Sequence, residues 1–302
     1  MRRRLLALVF CWGCAGVIEP QQHSLTLRFL DPPSLPDRPS TGHGMGLLVS
    51  EVMGRDTLYA LVDATDDSLW LPQRLAALGV SRLQFVILTH PHQDHFNGAL
   101  RLPGRIPVRA VYENGMRAGN PSLYGGLVDS FVAHAAGRIV PSGLTQMQLF
   151  PGSALWSVAP GIAFSPSPTP GVVPINGSGL VVRIELGGYA AVIMADQTAP
   201  VSGLDAQGYM LAAWPALFGT AQILHLPHHG LIDAFDTRLY AAVRPSYALV
   251  SNANGTNLEA LVLQHLTGIG VVPYCNRSSG EVTMILEPGA GWRVTSEKVS
   301  AC

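Results

Sequence analysis

The chain has 302 residues, 48% of them hydrophobic and only 13% charged, which excludes a disordered polymer of low apolar content. Its 32 Gly and 23 Pro argue against a plain helical bundle, and no apolar run approaches the roughly 18 residues that span a bilayer. The formal charge is −1, with Lys298 the only lysine among 19 cations.

The first element in chain order is a basic head, Arg2, Arg3 and Arg4, followed by an apolar stretch over residues 5–14 and the small residues Gly13, Ala15 and Gly16. This pattern reads as a signal peptide over residues 1–16, leaving a single domain over residues 20–302. Cleavage leaves 16 cations against 20 anions, a net charge of −4, so a basic nucleic-acid surface is not expected. The product is expected to be secreted or periplasmic. Cys14 as a lipid-modified first residue is the minority alternative, since Cys11 and Trp12 do not suit a lipobox. Cys275 and Cys302 remain as a pair that an oxidising compartment would permit.

Two Pro-rich stretches, residues 31–39 and 165–174, read as surface loops. Buried strands are expected at residues 83–88 (LQFVIL), 190–194 (AAVIM), 222–226 (QILHL), 247–250 (YALV) and 282–286 (VTMIL). Helices are expected at 71–78, 127–136 and 258–266, with Leu258, Leu261, Val262 and Leu266 on one face of the last. Strands buried on both sides and interleaved with helices imply an α/β layer architecture.

After LQFVIL comes Thr89-His90-Pro91-His92-Gln93-Asp94-His95. Four metal-capable side chains fall within six residues at a strand end, and imidazole with carboxylate is a usual ligand set for zinc and similar ions. His90 and His92, two apart in an extended segment, can grip one metal, while Asp94 and His95 are free to face a second as the chain turns. Asp196 directly follows a buried strand, and His228-His229-Gly230 closely follows another. Open α/β folds place their sites at such carboxyl ends. The remaining histidines, His23, His134, His225 and His265, read as structural, with His43 in a Gly-rich turn that borders the site. Trp156, Trp214 and Trp292 read as packing.

These residues resemble the metallo-β-lactamase superfamily, whose signature T-H-x-H-x-D-H matches THPHQDH. More narrowly, the chain resembles the ComEC-like competence branch and its secreted relatives. The matching segments are Gly42-His43-Gly44-Met45-Gly46, Leu61-Val62-Asp63, Asn176 to Val182, Ala195-Asp196, Pro227-His228-His229-Gly230, Ser251-Asn252 and Ser279-Gly280-Glu281. The resemblance implies a four-layer αββα sandwich: two mixed sheets, helices on the outer faces, and a two-metal site between the sheets. By position His90 and His92 would hold the first metal, and Asp94, His95 and His228 the second, with Asp196 bridging. His229 is the alternative to His228. Two divalent cations are implied, zinc first and manganese as the alternative.

The chain departs from the superfamily pattern in three places. No His lies between His134 and Asp196, where a further ligand belongs and where Asn176 and Ser178 stand, so one metal position is expected to be weaker. Ala195 replaces the usual Gly and Leu231 the usual Ser.

The expected activity is hydrolysis by a metal-activated water, with Asp94 orienting and deprotonating the nucleophile and His229, if not a ligand, serving as general acid. A phosphodiester or phosphoester from a small molecule or envelope component is the expected substrate. A lactone or β-lactam is the runner-up, set back by the lack of lysine near the motifs. A secreted binding protein that has lost turnover is the rival from another class.

Overall fold

The computed structural model describes residues 23–33, 44–116, 121–162, 172–200, 205–251, 258–298 and 302. The expected signal peptide, Cys14, His43, Asn252 and most of both Pro-rich stretches lie outside them. The chain starts with β1 (His23–Phe29), β2 (Leu47–Met53), β3 (Asp56–Val62), β4 (Leu83–Leu88), β5 (Val108–Glu113) and β6 (Gly137–Ile139). It then crosses to β7 (Thr145–Met147), β8 (Leu155–Ala159), β9 (Val181–Leu186), β10 (Tyr189–Ile193), β11 (Ile223–His225), β12 (Tyr247–Val250) and β13 (Val272–Cys275). β14 (Val282–Glu287) and β15 (Gly291–Ser296) return to the first layer.

The first sheet has the order β15-β14-β1-β2-β3-β4-β5-β6 and the second β13-β12-β11-β10-β9-β8-β7. Both are mixed in the same way. Antiparallel pairing builds β1-β2-β3 and β7-β8-β9-β10, whereas β3-β4-β5-β6 and β10-β11-β12-β13 run parallel. Parallel neighbours need long crossovers, and helices supply them at Trp70–Ala77, Pro121–Ala133, Ala206–Ala213, Thr237–Val243 and Ala260–Gly268.

Packing follows from this. One apolar cluster fills the space between the sheets, where Trp156 of β8 meets Phe85 of β4 edge-on at 4.7 Å. A second lies between the first sheet and its helices through Leu71, Leu75, Tyr124 and Phe131, and a third between the second sheet and its helices through Met210, Leu239, Val262 and Leu266. The layers are therefore helix, sheet, sheet, helix, as expected.

Two expectations shift. The helix expected at 127–136 starts at Pro121, a residue preorganised for a first helical turn, and Ala135 with φ 70° lies just beyond its end. The last crossover helix starts at Ala260 rather than at Leu258, and its buried residues are Val262 and Leu266, spaced by four, whereas Leu261 is 53% exposed. An i, i+4 row stays on one face; its neighbour at 261 is rotated away by about 100°.

Candidate metal centre

The loops that leave β3, β4, β10, β11 and β12 meet at one end of the sandwich. Asp63, just past β3, adopts φ 51°, and its carboxylate takes three donors: the Thr89 amide at 2.7 Å, the Thr89 hydroxyl at 2.6 Å and His95 Nδ1 at 2.7 Å. A carboxylate only accepts, so the Thr89 hydroxyl spends its hydrogen there and must accept from His90 Nδ1, 3.0 Å away. His90 and His95 are thus both protonated on Nδ1 and carry a lone pair on Nε2. His229 follows the same logic, since its Nδ1 lies 2.6 Å from the Ser251 carbonyl oxygen.

His92, in an extended conformation (φ −88°, ψ 143°), puts its Nδ1 3.0 Å from His90 Nε2. The chain then turns at Gln93–Phe96, which swings Asp94 and His95 to the other side. Asp196 follows Ala195, whose φ of 50° turns the chain at the end of β10. Its Oδ2 lies 3.4 Å from His90 Nε2 and 3.8 Å from His229 Nε2, and its Oδ1 3.2 Å from His95 Nε2. Asp94 Oδ2 is 3.0 Å from His229 Nε2 and 3.8 Å from His95 Nε2.

Two ligand groups emerge, His90 with His95 and Asp196, and Asp94 with His95 and His229, each with its donor atoms within 4.8 Å of one another. His95 Nε2, His229 Nε2 and Asp196 Oδ1 are buried and make no hydrogen bond. Lone pairs facing carboxylates repel unless a cation lies between them, and nitrogen with oxygen donors suits zinc or a similar divalent ion. The residues therefore fit a dinuclear centre.

The electrostatics of these side chains point to the same deficit of positive charge. Burial opposes a charge on His95, yet Asp196, Asp94 and Asp63 together push its pKa well above the ordinary value. Burial and neighbouring His95 lower His90, and burial with His90 lowers His92 to about 4. Burial raises Asp196, but His95, His229 and His90 outweigh it and hold the carboxyl well below the usual range.

The His228–His229 pair resolves in one direction. Both residues sit in the left-handed region (φ 45° and 58°), followed by Gly230 at φ 75°, and this curl throws the adjacent rings apart. His229 enters the cavity. His228, which the sequence pattern placed with Asp94 and His95, instead donates from Nδ1 to Asp233 Oδ1 at 2.8 Å and has Nε2 3.3 Å from the Asn176 amide nitrogen. It belongs to neither ligand group. Asn176, standing where the superfamily has a further His, is buried with Oδ1 unpartnered.

Residues 50–183 match the family model described as Metallo-beta-lactamase superfamily. The chain has the metallo-β-lactamase fold. Among solved structures sharing that fold, a diphosphatase from the PhnP family matches with a TM-score of 0.52 at 14% identity, over 87% of this chain and 98% of its own. Zn(2+)-bound PqqB from Methylobacterium extorquens matches at 0.51 and 14%, over 83% and 97%. CmlA, a diiron β-hydroxylase from Streptomyces venezuelae, matches at 0.51 and 16%, over 89% of this chain and 55% of its own. No match was found among curated protein sequences.

Within the metallo-β-lactamase fold, His23, His134 and His265 make contacts outside the ligand groups. His23 contacts Glu51 at 2.8 Å, His134 bonds back to the Ser130 carbonyl from just beyond the end of its helix, and His265 packs against Phe235 and Tyr240. His225 is buried and shares the Ser251 hydroxyl with His229. Asp63, Thr89 and Ser251 orient the ligands from outside the ligand groups, and of the three only Thr89 belongs to the THPHQDH run. Asp63 and Ser251 were visible only as strand-end residues of the family pattern.

Proposed function

We propose that this chain is a metal-dependent hydrolase that cleaves a phosphodiester or phosphoester. The observation that carries the reading is the cavity in which three imidazoles, each fixed with its Nε2 lone pair inward, face the carboxylates of Asp94 and Asp196. His90, His92 and Asp196 would hold one cation, and Asp94, His95 and His229 the other, with Asp196 placed to reach both. Bound there, two divalent cations supply the charge that lowers the pKa of a water towards neutrality and polarise the scissile ester. Zinc is the first expectation and manganese the second.

The chain's own groups then divide the work. Asp94, whose side chain is 34% exposed, is the ligand-group carboxylate that also meets solvent, and it orients the attacking water and takes its proton. His229, turned into the cavity, is a ligand in this reading. The outer role falls to His228, a partly exposed ring held on one nitrogen by Asp233 and turning the other towards the buried Asn176 amide.

The ordered motifs shared with the ComEC-like branch support the phosphoester class, as does the match to a diphosphatase over nearly that protein's whole length. The net charge of −4 after cleavage favours a small or envelope-derived substrate over nucleic acid. Among the described residues no helix is long and apolar enough to cross a membrane. Cys275 and Cys302 are joined in a disulfide, which suits a secreted or periplasmic protein.

The test is hydrolysis of bis-p-nitrophenyl phosphate, p-nitrophenyl phosphate, a lactone and a chromogenic β-lactam by protein loaded with zinc or manganese. Phosphoester turnover abolished by chelator is expected. Turnover of the lactone or β-lactam alone would replace the substrate class, and folded protein that binds no metal and cleaves nothing would favour a binding protein.

A further inference from the structure

We infer that His225 and Ser251 form a buried positioning device for His229, one that sets the tautomer and aim of this imidazole and so the cation affinity of the position it shares with Asp94 and His95. The inference rests on the reading of the cavity as a cation centre. It concerns residues that have no place in either ligand group.

His225 ends β11 and Ser251 follows β12, the parallel strand registered beside it with His225 opposite Leu249. The Ser251 carbonyl accepts from His229 Nδ1 at 2.6 Å, and the Ser251 hydroxyl oxygen lies 3.3 Å from the same nitrogen and 2.8 Å from His225 Nε2. One serine therefore touches both rings.

The proton on His225 can be placed by elimination. The ring is 1% exposed and its Nδ1 has no partner. A buried donor without an acceptor carries its full desolvation cost, so the single proton of the neutral ring belongs on Nε2, where the serine oxygen can receive it. Burial, then the nearby His229 and His95 rings, lower the His225 pKa to about 3, so the ring stays neutral and its donor stays in place. On its other side His225 lies parallel to Phe29 of β1, with ring centres 5.9 Å apart and planes 6° apart. The stack anchors the ring to the opposite sheet.

The consequence is directional. The hydroxyl is held by His225, which keeps the Ser251 backbone turn in register, and the carbonyl of that residue keeps the His229 proton on Nδ1. His229 Nε2 is then free to present its lone pair to the cavity. Outer partners of ligating imidazoles contribute in this way, and their loss costs roughly 10- to 100-fold in metal affinity.

The experiment uses chelator-treated full chain titrated with Zn2+ against a chromophoric competitor, which resolves two binding events. His225→Phe, which keeps the stack on Phe29, and Ser251→Ala, which keeps the carbonyl, are each expected to weaken one event by roughly 10- to 100-fold and leave the other unchanged. That event is the one removed by Asp94→Ala, and in the Asp94→Ala background His225→Phe adds nothing. His225→Gln, whose amide N–H has a similar reach, restores most of the affinity. Equal weakening of both events indicates a merely structural role and overturns the proposal, as does no weakening. If His225→Phe does not fold by circular dichroism, Ser251→Ala and His225→Gln decide. Wild-type protein that binds two zinc ions but cleaves no ester would defeat the hydrolase reading alone. Wild-type protein that binds none would defeat both.

Discussion

Asp196 stands between His90 and His95, one carboxylate oxygen 3.4 Å from the first ring nitrogen and the other 3.2 Å from the second. Its Oδ2 also lies 3.8 Å from His229 Nε2, so among the described residues Asp196 is the carboxylate that meets rings of both ligand groups. Asp196→Ala should therefore strip both cations, a larger loss than the roughly 10- to 100-fold produced by an outer partner. Metal content by elemental analysis and phosphoester turnover should fall together. Full metal content in this variant would remove Asp196 from its bridging place.

Asp63 acts one layer out. It receives three donors, two from Thr89 and one from His95, and so fixes the proton positions on both His95 and His90. Asp63→Asn substitutes an NH2 for one acceptor oxygen and leaves a buried donor facing another donor. A loss of about 1–3 kcal/mol in urea-unfolding stability is expected, with metal affinity reduced about 10- to 100-fold. Unchanged zinc affinity would show that the lone pairs of His90 and His95 are set by something else.

The sequence already held much of this. The run LQFVIL before Thr89 marks β4 because a strand buried on both faces must be apolar throughout, and the same reasoning located β10, β11, β12 and β14. β1, β2 and β15 escaped because their burial alternates or is partial, and an alternating stretch in a Gly- and Pro-rich chain resembles many loops. His90, His92, Asp94 and His95 were legible through dense spacing alone. The choice between His228 and His229 was not, because it depends on three consecutive left-handed residues, a backbone state that side-chain identity signals only at Gly230. Asp63 and Ser251 were hidden for another reason: their contacts are made across strands, by residues 26 and 22 positions away from their partners.

His225 also makes the metal-free protein acid-sensitive. Its folded pKa of about 3 lies below the unfolded value near 6.5, so between these limits the unfolded state binds the extra proton and stability falls as pH falls. His92, lowered to about 4, adds to the same slope, while His95, raised above its ordinary value, contributes stability that is lost only as pH rises. In chelator, moving from pH 7 to pH 5 should cost the wild type about 2 kcal/mol more than His225→Phe, at about 1.4 kcal/mol per pH unit below 6.5. Parallel losses in the two proteins, read from urea midpoints, would place the His225 proton differently.

Gly44 should be as sensitive as a ligand although it holds no metal. Its φ is +59°, and a Cβ there would sit 2.0 Å from the Asp94 carbonyl oxygen, to which the Met45 amide also donates at 3.0 Å. Gly44→Ala must displace the Gln93–Phe96 turn, so the zinc event that involves Asp94 and His95 should weaken more than the one at His90 and His92. Equal zinc binding in the variant would mean the turn yields at no cost to the centre.

The Cys275–Cys302 disulfide joins residues separated by 27 positions, across a segment that contains β14 and β15. β14 pairs with β1 inside the first sheet, whereas Cys275 ends β13 at the edge of the second, so the bridge ties the tail after β15 back to the opposite layer. A cross-link of this span limits the unfolded chain by about 3.5 kcal/mol in the loop-entropy account. Every ligand-group residue precedes it in sequence, at or before His229. Cys302→Ser should therefore lower the thermal midpoint by several degrees while leaving zinc stoichiometry and phosphoester kcat at 25 °C unchanged, and reductant should produce the same shift in the wild type but none in the variant. A wild-type midpoint indifferent to reductant would show that the bridge adds nothing to stability, and a lost zinc ion would show that the edge of the second sheet supports the centre.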